Sequence, residues 1–221
     1  DRHWPFKQHK TSRDIKKLPH HENLKSFGAC FGVSGGYERP MWFALDGEKA
    51  EYEYSYNYQS WYPSAEYETH NTKKNVGLFD LTPFSKFEIR SEKAHQELQR
   101  ICTANIKKDV GKCTYTHMLN SDGGIETDLT IVTLDDNHFR IISSAATRER
   151  DKHHIKKHLN KDIELKDVTD DYCVFGIFGP KSRNLLSSLS KENFDNENFK
   201  FGTAKFISID DTKIWTQRLS Y

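Results

Sequence analysis

Asp128 lies in "MLNSDGGIETDLTIV", residues 118–132, where a glycine turn gives way to an apolar run. Asp122-Gly123-Gly124 is turn chemistry, because glycine accepts the positive φ that tight hairpins need. Leu129, Ile131 and Val132 then read as strand. Aspartate is a poor strand former, and an unpaired buried carboxylate is costly. Asp128 therefore needs either a partner or a task. The glycine turn leaves room for a ligand to reach the backbone, and Tyr115, on the expected neighbouring strand, can flank the same space. That makes Asp128 the candidate for catalysis or binding. The plainer alternative is a surface aspartate beside a turn.

Other constellations are weaker. His154 and His158, in "HHIKKHLNK" (153–161), have the i, i+4 spacing that can hold a metal. No H-E-x-x-H accompanies them and three lysines crowd the stretch, so a solvated helix face is the simpler reading. Asp135-Asp136 falls in an expected hairpin turn, where aspartate is a good turn former. No G-x-S-x-G occurs, and Cys30, Cys102, Cys113 and Cys173 match neither a nucleophile signature nor a zinc template. They read as reduced thiols of a cytosolic or matrix protein. The glycine-rich stretch 29–44 lacks the G-K-[ST] of a phosphate loop, and no G-x-G-x-x-G appears anywhere.

Composition narrows the classes further. The 33 basic residues nearly cancel 32 acidic ones, which argues against a general nucleic-acid binder. "EYEYSYNYQSWY" (51–62) alternates aromatic and polar residues, and the spacing predicts a strand with one aromatic face. A base-stacking platform is the alternative, but the interleaved residues are acidic or neutral and would repel phosphate. No run of about 18 apolar residues exists, so no membrane helix is expected. "DRHWPFKQHKTSRD", the first 14 residues, has no apolar core of the kind a secretory signal needs.

The elements that must position Asp128 can be read from periodicity. Residues 1–28 are irregular and basic, and read as a linker that contributes nothing to a core. Strands are expected at 85–91, 114–119, 127–134, 138–144, 163–168, 172–178, 203–209 and 212–219. Helices are expected over 92–106, with Ala94, Leu98, Ile101 and Cys102 on one face, over 147–159, and from Pro180 through "PKSRNLLSSL". Paired strands precede each helix, which predicts an α+β fold with antiparallel hairpins and excludes a doubly wound parallel sheet.

Four blocks, in order, carry a family resemblance: "VGLFDLTPFSKFEI" (76–89), "GKCTYTHMLNSDGGIETDLTI" (111–131), "ATRERD" (146–151) and "VFGIFGPKSRNLL" (174–186). Together they resemble the folate-binding domain of the glycine cleavage T-protein (aminomethyltransferase) superfamily. "HWP" (3–5), "GACFGVSGGYERPMWFA" (28–44) and the segment to Trp61 resemble its dimethylglycine/sarcosine dehydrogenase branch. In that branch a flavin-dependent amine oxidase domain precedes the folate domain, so the resemblance implies that residues 1–28 are the joint between them and 29–221 the folate domain. The family's catalytic aspartate falls in G-G-x-x-x-D-L, here Gly123 to Leu129, which only Asp128 fits. The resemblance implies that Asp128 contacts the pterin of tetrahydrofolate and assists attack of its nitrogen on an iminium carbon, giving 5,10-methylenetetrahydrofolate. A carboxylate suits that task, since it accepts an N–H bond and stabilises developing positive charge. Tyr115, the strand end at Ser143 and Ser144, and Tyr221 are the further folate-site residues so implied.

Departures from the family pattern set further expectations. No flavin-binding block occurs here, so FAD and the oxidation of an N-methyl amine are expected in a partner domain or subunit. The G-E-x-G-Y-E block and the β-barrel that follow the folate strands in the family are not among these residues, and the chain reads as an internal fragment of a longer enzyme or as a split gene product, bacterial cytoplasmic or mitochondrial, expected to bind folate weakly and to be inactive alone. Asp128 is expected on the floor of a concave pocket. Partners implied are reduced folate and the flavin domain, with no nucleic acid, membrane or metal. A regulatory relative, like the pyruvate dehydrogenase phosphatase regulatory subunit, shares this layout and stands as the alternative. A folate-fold protein of iron–sulfur assembly is disfavoured by the missing K-G-C-Y-x-G-Q motif.

Overall fold

A computed structural model describes residues 7–220. In chain order, α1 (His21–Ser26) leads into β1 (Ala29–Ser34) and β2 (Tyr37–Phe43). Next come α2 (Tyr62–Lys74), β3 (Gly77–Asp80), β4 (Ser85–Arg90) and α3 (Ala94–Ile101). The central strands are β5 (Cys113–Leu119), β6 (Ile125–Asp135) and β7 (His138–Ser143), followed by α4 (Arg148–His158). The chain continues through β8 (Leu165–Asp167), β9 (Phe175–Phe178), α5 (Ser182–Leu189), β10 (Thr203–Ile209) and β11 (Thr212–Arg218). These pair as one five-stranded sheet, in the order β5-β6-β7-β4-β8, and three two-stranded ones. Every strand pairing is antiparallel, so the α+β expectation holds.

The chain forms two compact units. One comprises the described residues up to Pro83 together with Cys173–Ser182, and the other Phe84–Tyr172 and Arg183 onward. In the first, Gly35 and Gly36 both hold positive φ, +59° and +83°, and close the β1–β2 hairpin at Ser34–Tyr37. A two-residue turn of that hand requires both values, which is why glycine occupies both places. Leu18, Ala29, Cys30, Tyr37 and Trp42 are buried. Glu38, also buried, receives two bonds from Arg13, each 2.7 Å, and one from the Asp14 amide.

Two expectations are corrected in this unit. Residues 16–28 do contribute to a core: Leu18 and His21 are buried, and the His21 ring stacks on Phe31 at 3.9 Å. The "HWP" residues lie outside the described ones. Secondly, 51–62 is not a strand but an irregular loop that runs into α2. The Ser60 hydroxyl accepts from the Glu53 amide and donates to the Glu51 carbonyl, closing the loop on itself. Tyr52 and Tyr54 stack in parallel at 5.6 Å, while Tyr58 packs on Tyr62 and Tyr56 is exposed, so the period of two marks no sheet face.

The second unit is built on the five-stranded sheet. Along β6, Thr127, Leu129, Ile131 and Thr133 are buried on one face; on the other, Asp128 is exposed and Thr130 half-buried, but Val132 is buried as well. Side chains on a strand alternate faces, so one face carries Leu129, Ile131, Phe139, Ile141, Phe87 and Ile89 into a single core. Ala94 and Leu98 from α3 and Ile155 from α4 complete that core. Helix α3 stops at Ile101, short of the expected 106. The Thr103 amide is drawn to the His117 carbonyl and the Ala104 amide to the Thr116 hydroxyl, which straps the chain along β5 instead.

Candidate functional site

The turn that precedes Asp128 is organised by a residue the motif did not single out. Asn120 accepts the Asp122 and Gly124 backbone amides on its side-chain oxygen, at 3.0 and 2.8 Å, and its backbone N–H donates to the Gly124 carbonyl. An asparagine side chain that bonds its own backbone two residues on is ordinary turn chemistry, and that was the signal available. Gly123 takes a φ of +81°, and a Cβ on Gly124 would stand 3.0 Å from the Asn120 side chain. The loop therefore delivers β6 antiparallel to β5, with Asp128 opposite His117 and Thr130 opposite Tyr115.

Asp128, Tyr115 and His117 share the sheet face opposite the core. The Tyr115 hydroxyl donates to Asp128 Oδ2 at 3.2 Å, and the Tyr115 ring meets His117 edge-on, with centroids 5.2 Å apart. Partial loss of water and then the neighbouring Asp128 carboxylate hold the Tyr115 phenol above its ordinary value. It stays protonated and donating through neutral pH. Asp128 is not a buried charge in need of rescue: it is exposed, and Tyr115 is 62% exposed. Within its own unit, then, Asp128 does not stand at the floor of a recess. Its Oδ1 has no hydrogen-bond partner among the described residues and can accept from a ligand.

The remaining expected site residues divide. Ser143 pairs with Ser85 on β4, and its buried hydroxyl, on the core side, has no partner among the described residues. Ser144 is exposed; its hydroxyl accepts from the Ala146 amide and its carbonyl from the Ser85 hydroxyl, so it caps the turn before α4. Among the described residues no hydrogen bond joins either serine to Asp128. Tyr221 lies outside the described residues. The rings of His154 and His158 lie 4.4 Å apart, and His158 Nδ1 bonds the His154 carbonyl. Burial, and then the His158 neighbour, lower the His154 value. No cluster of three or more His, Cys, Asp or Glu side chains able to hold a metal occurs among the described residues.

The same face carries a second carboxylate with opposite surroundings. Glu88 receives two bonds from Arg140, at 2.9 and 2.6 Å, and one contact from His138 Nε2 at 2.9 Å. The Arg140 guanidinium lies over the Tyr172 ring at 4.2 Å. Burial alone would raise the Glu88 value, but the bonds from Arg140 and His138 outweigh it and hold it below the ordinary carboxylate range.

Comparison with known proteins adds a family. The model of the GCVT N-terminal domain matches residues 20–221. The chain is 34% identical over 220 residues to 4-methylaminobutanoate oxidase (formaldehyde-forming) of Paenarthrobacter nicotinovorans, covering 99% of this chain and 27% of that protein. It is 30% identical over 221 residues to mitochondrial dimethylglycine dehydrogenase of Rattus norvegicus, covering 99% and 26%. The chain thus spans about a quarter of the length of these relatives. The crystal structure of glycine cleavage system aminomethyltransferase T from Bartonella henselae superimposes with a TM-score of 0.73 over 94% of this chain and 51% of that one, at 19% identity, a likeness of fold. These relatives do not favour the regulatory-subunit alternative.

Proposed function

This chain belongs to the GCVT N-terminal domain family, and on that premise we propose that it is the folate-binding domain of an N-methyl amine dehydrogenase or oxidase. It takes reduced folate and passes a one-carbon unit to it, with 5,10-methylenetetrahydrofolate as the product. The observation that carries this reading is the Asp128–Tyr115 pair, exposed at the β5–β6 end of the sheet face opposite the core, with Asp128 four residues beyond a glycine turn. The donor set fits a pterin: Asp128 has an oxygen open to accept an N–H bond, and Tyr115 offers a flat aromatic face beside it.

Tetrahydrofolate, when bound, supplies the nucleophilic nitrogen. The chain's own residues do the rest. Asp128 accepts an N–H of the ring system and so orients it, and its charge favours positive charge developing nearby. Tyr115, fixed as a donor, holds the carboxylate in place for that role. The backbone at Ser143 and Ser144 edges the site, and Tyr221 belongs to it in this reading. Oxidation of the amine falls to a flavin domain or subunit. No helix among the described residues is long and apolar enough to cross a membrane. The cytoplasm or the mitochondrial matrix is the proposed compartment.

Calorimetric titration with tetrahydrofolate tests the site. Wild type should bind, and Asp128→Asn should bind about tenfold more weakly or worse, since bonds to a charged acceptor are the stronger kind. Equal affinity for the two proteins would remove Asp128 from the site.

A further inference from the structure

The β6–β7 ladder starts at Thr130–Ile142, and β7 ends at Ser143. The first residues of β6, Ile125 to Leu129, therefore run past the end of β7; Ile125, Thr127, Asp128 and Leu129 pair with β5, while Glu126 is the bulged residue between Leu119–Ile125 and Met118–Thr127 and has no partner in that ladder. Asp128 stands in this overhanging segment. Arg150, in the first turn of α4, reaches across and donates to the Glu126 carbonyl at 2.6 Å. Its guanidinium also contacts Asp151 Oδ1, at 3.3 and 3.4 Å. The Asp151 side chain is fully buried and accepts from the Thr147 hydroxyl at 2.7 Å. Helix α4 itself is pinned by Ile155 in the core. A cation bonded to a backbone carbonyl makes a charge-assisted hydrogen bond, and here a half-exposed guanidinium makes it to the one residue that the bulge leaves out of the β5–β6 ladder.

We propose that Arg150 is a positioning residue, whose bond to Glu126 fixes the overhanging start of β6 and with it the place of Asp128. The proposal rests on the reading of Asp128 as the folate-facing carboxylate. Arginine suits the task better than lysine, because its planar fork serves Asp151 and Glu126 at once, whereas an ammonium is a single point.

Amide hydrogen exchange and tetrahydrofolate titration, run on the whole chain, test this with four proteins: wild type, Arg150→Gln, Arg150→Lys and Asp128→Asn. Arg150→Gln should speed exchange at residues 125–128 about tenfold while residues 130–135 keep their rates. It should weaken tetrahydrofolate binding about three- to tenfold, and Arg150→Lys should restore part of both. Unchanged exchange at 125–128 would overturn the proposal, as would an equal rise along the whole of β6. Local loosening with wild-type affinity, while Asp128→Asn does weaken binding, would also overturn it and leave the folate reading intact. If Asp128→Asn binds as wild type does, the folate reading fails and the positioning role fails with it; the Asp128 variant tells the two failures apart.

Discussion

Glu88 and Asp128 stand on the same face of the same sheet, and the molecule treats them in opposite ways. Glu88 is closed in: Arg140 grips it with two bonds, His138 adds a third, and Tyr172 covers the arginine. Asp128 is left open, with one phenol beside it and one oxygen unused among the described residues. A carboxylate saturated by its own chain holds strands together. A carboxylate given one neighbour and access to water is available to something from outside. The difference is therefore between β4 and β7 joined by charge and β5 and β6 holding a charge ready.

The largest expected effect breaks the closed end. Arg140→Ala leaves Glu88 largely buried with only His138 to answer it, and losing one partner of such a pair costs about 3 kcal/mol. Urea unfolding should show that loss, whereas Asp128→Asn should leave the unfolding midpoint where it is. If Arg140→Ala is no less stable than Asp128→Asn, the contrast between the two carboxylates is false.

Acid sharpens the same contrast. Glu88 is held below its unfolded value, and so is Asp167, which burial would raise but bonds from Arg148 and Thr169 lower. For a depressed carboxylate, the stabilisation is present above the unfolded value of about 4 and disappears as pH falls through the folded one. Wild type should lose stability progressively below about pH 4. Glu88→Gln should start less stable and lose less over that range. Parallel pH curves for the two proteins would show that Glu88 is not held down.

What the sequence made legible follows from the reach of each interaction. The apolar run of β6 is local, so the strand is legible from Leu129, Ile131 and Val132, although Val132 turns out to be buried on the face opposite the other two. The Gly35-Gly36 turn was equally local, and the hairpin signal was there to be used. The Glu88–Arg140 grip was not legible, because its partners come together only when β4 pairs with β7, 52 positions apart. The tyrosines of 51–62 mislead, since a period of two does not distinguish a sheet face from a loop in which one i, i+2 pair, Tyr52 and Tyr54, stacks. Asp128 is legible as the aspartate after a glycine turn, and the folate role proposed for it follows from the family block rather than from its spacing. Arg150 was hidden because its partner is a backbone carbonyl, which no residue pattern encodes.

Tyr115→Phe carries the smallest expected effect and divides the open end most finely. The substitution keeps the ring and its edge contact with His117 and removes only the hydroxyl that donates to Asp128 Oδ2. Stability should not change, because both groups face water and water replaces the lost bond. If Tyr115 steadies the carboxylate, tetrahydrofolate affinity should fall about two- to threefold, well short of the effect of Asp128→Asn. The pH dependence separates steadying from mere proximity. Partial desolvation and then Asp128 raise the Tyr115 phenol, so it should keep its proton past the ordinary tyrosine value of about 10 and lose it only above that. Wild-type affinity should hold up to that pH and then drop as the donor becomes a second anion beside Asp128. The phenylalanine variant has no proton to lose and should show no such drop. If the two proteins bind alike at neutral pH and fall together in alkali, Tyr115 is a neighbour of the site and Asp128 acts without it.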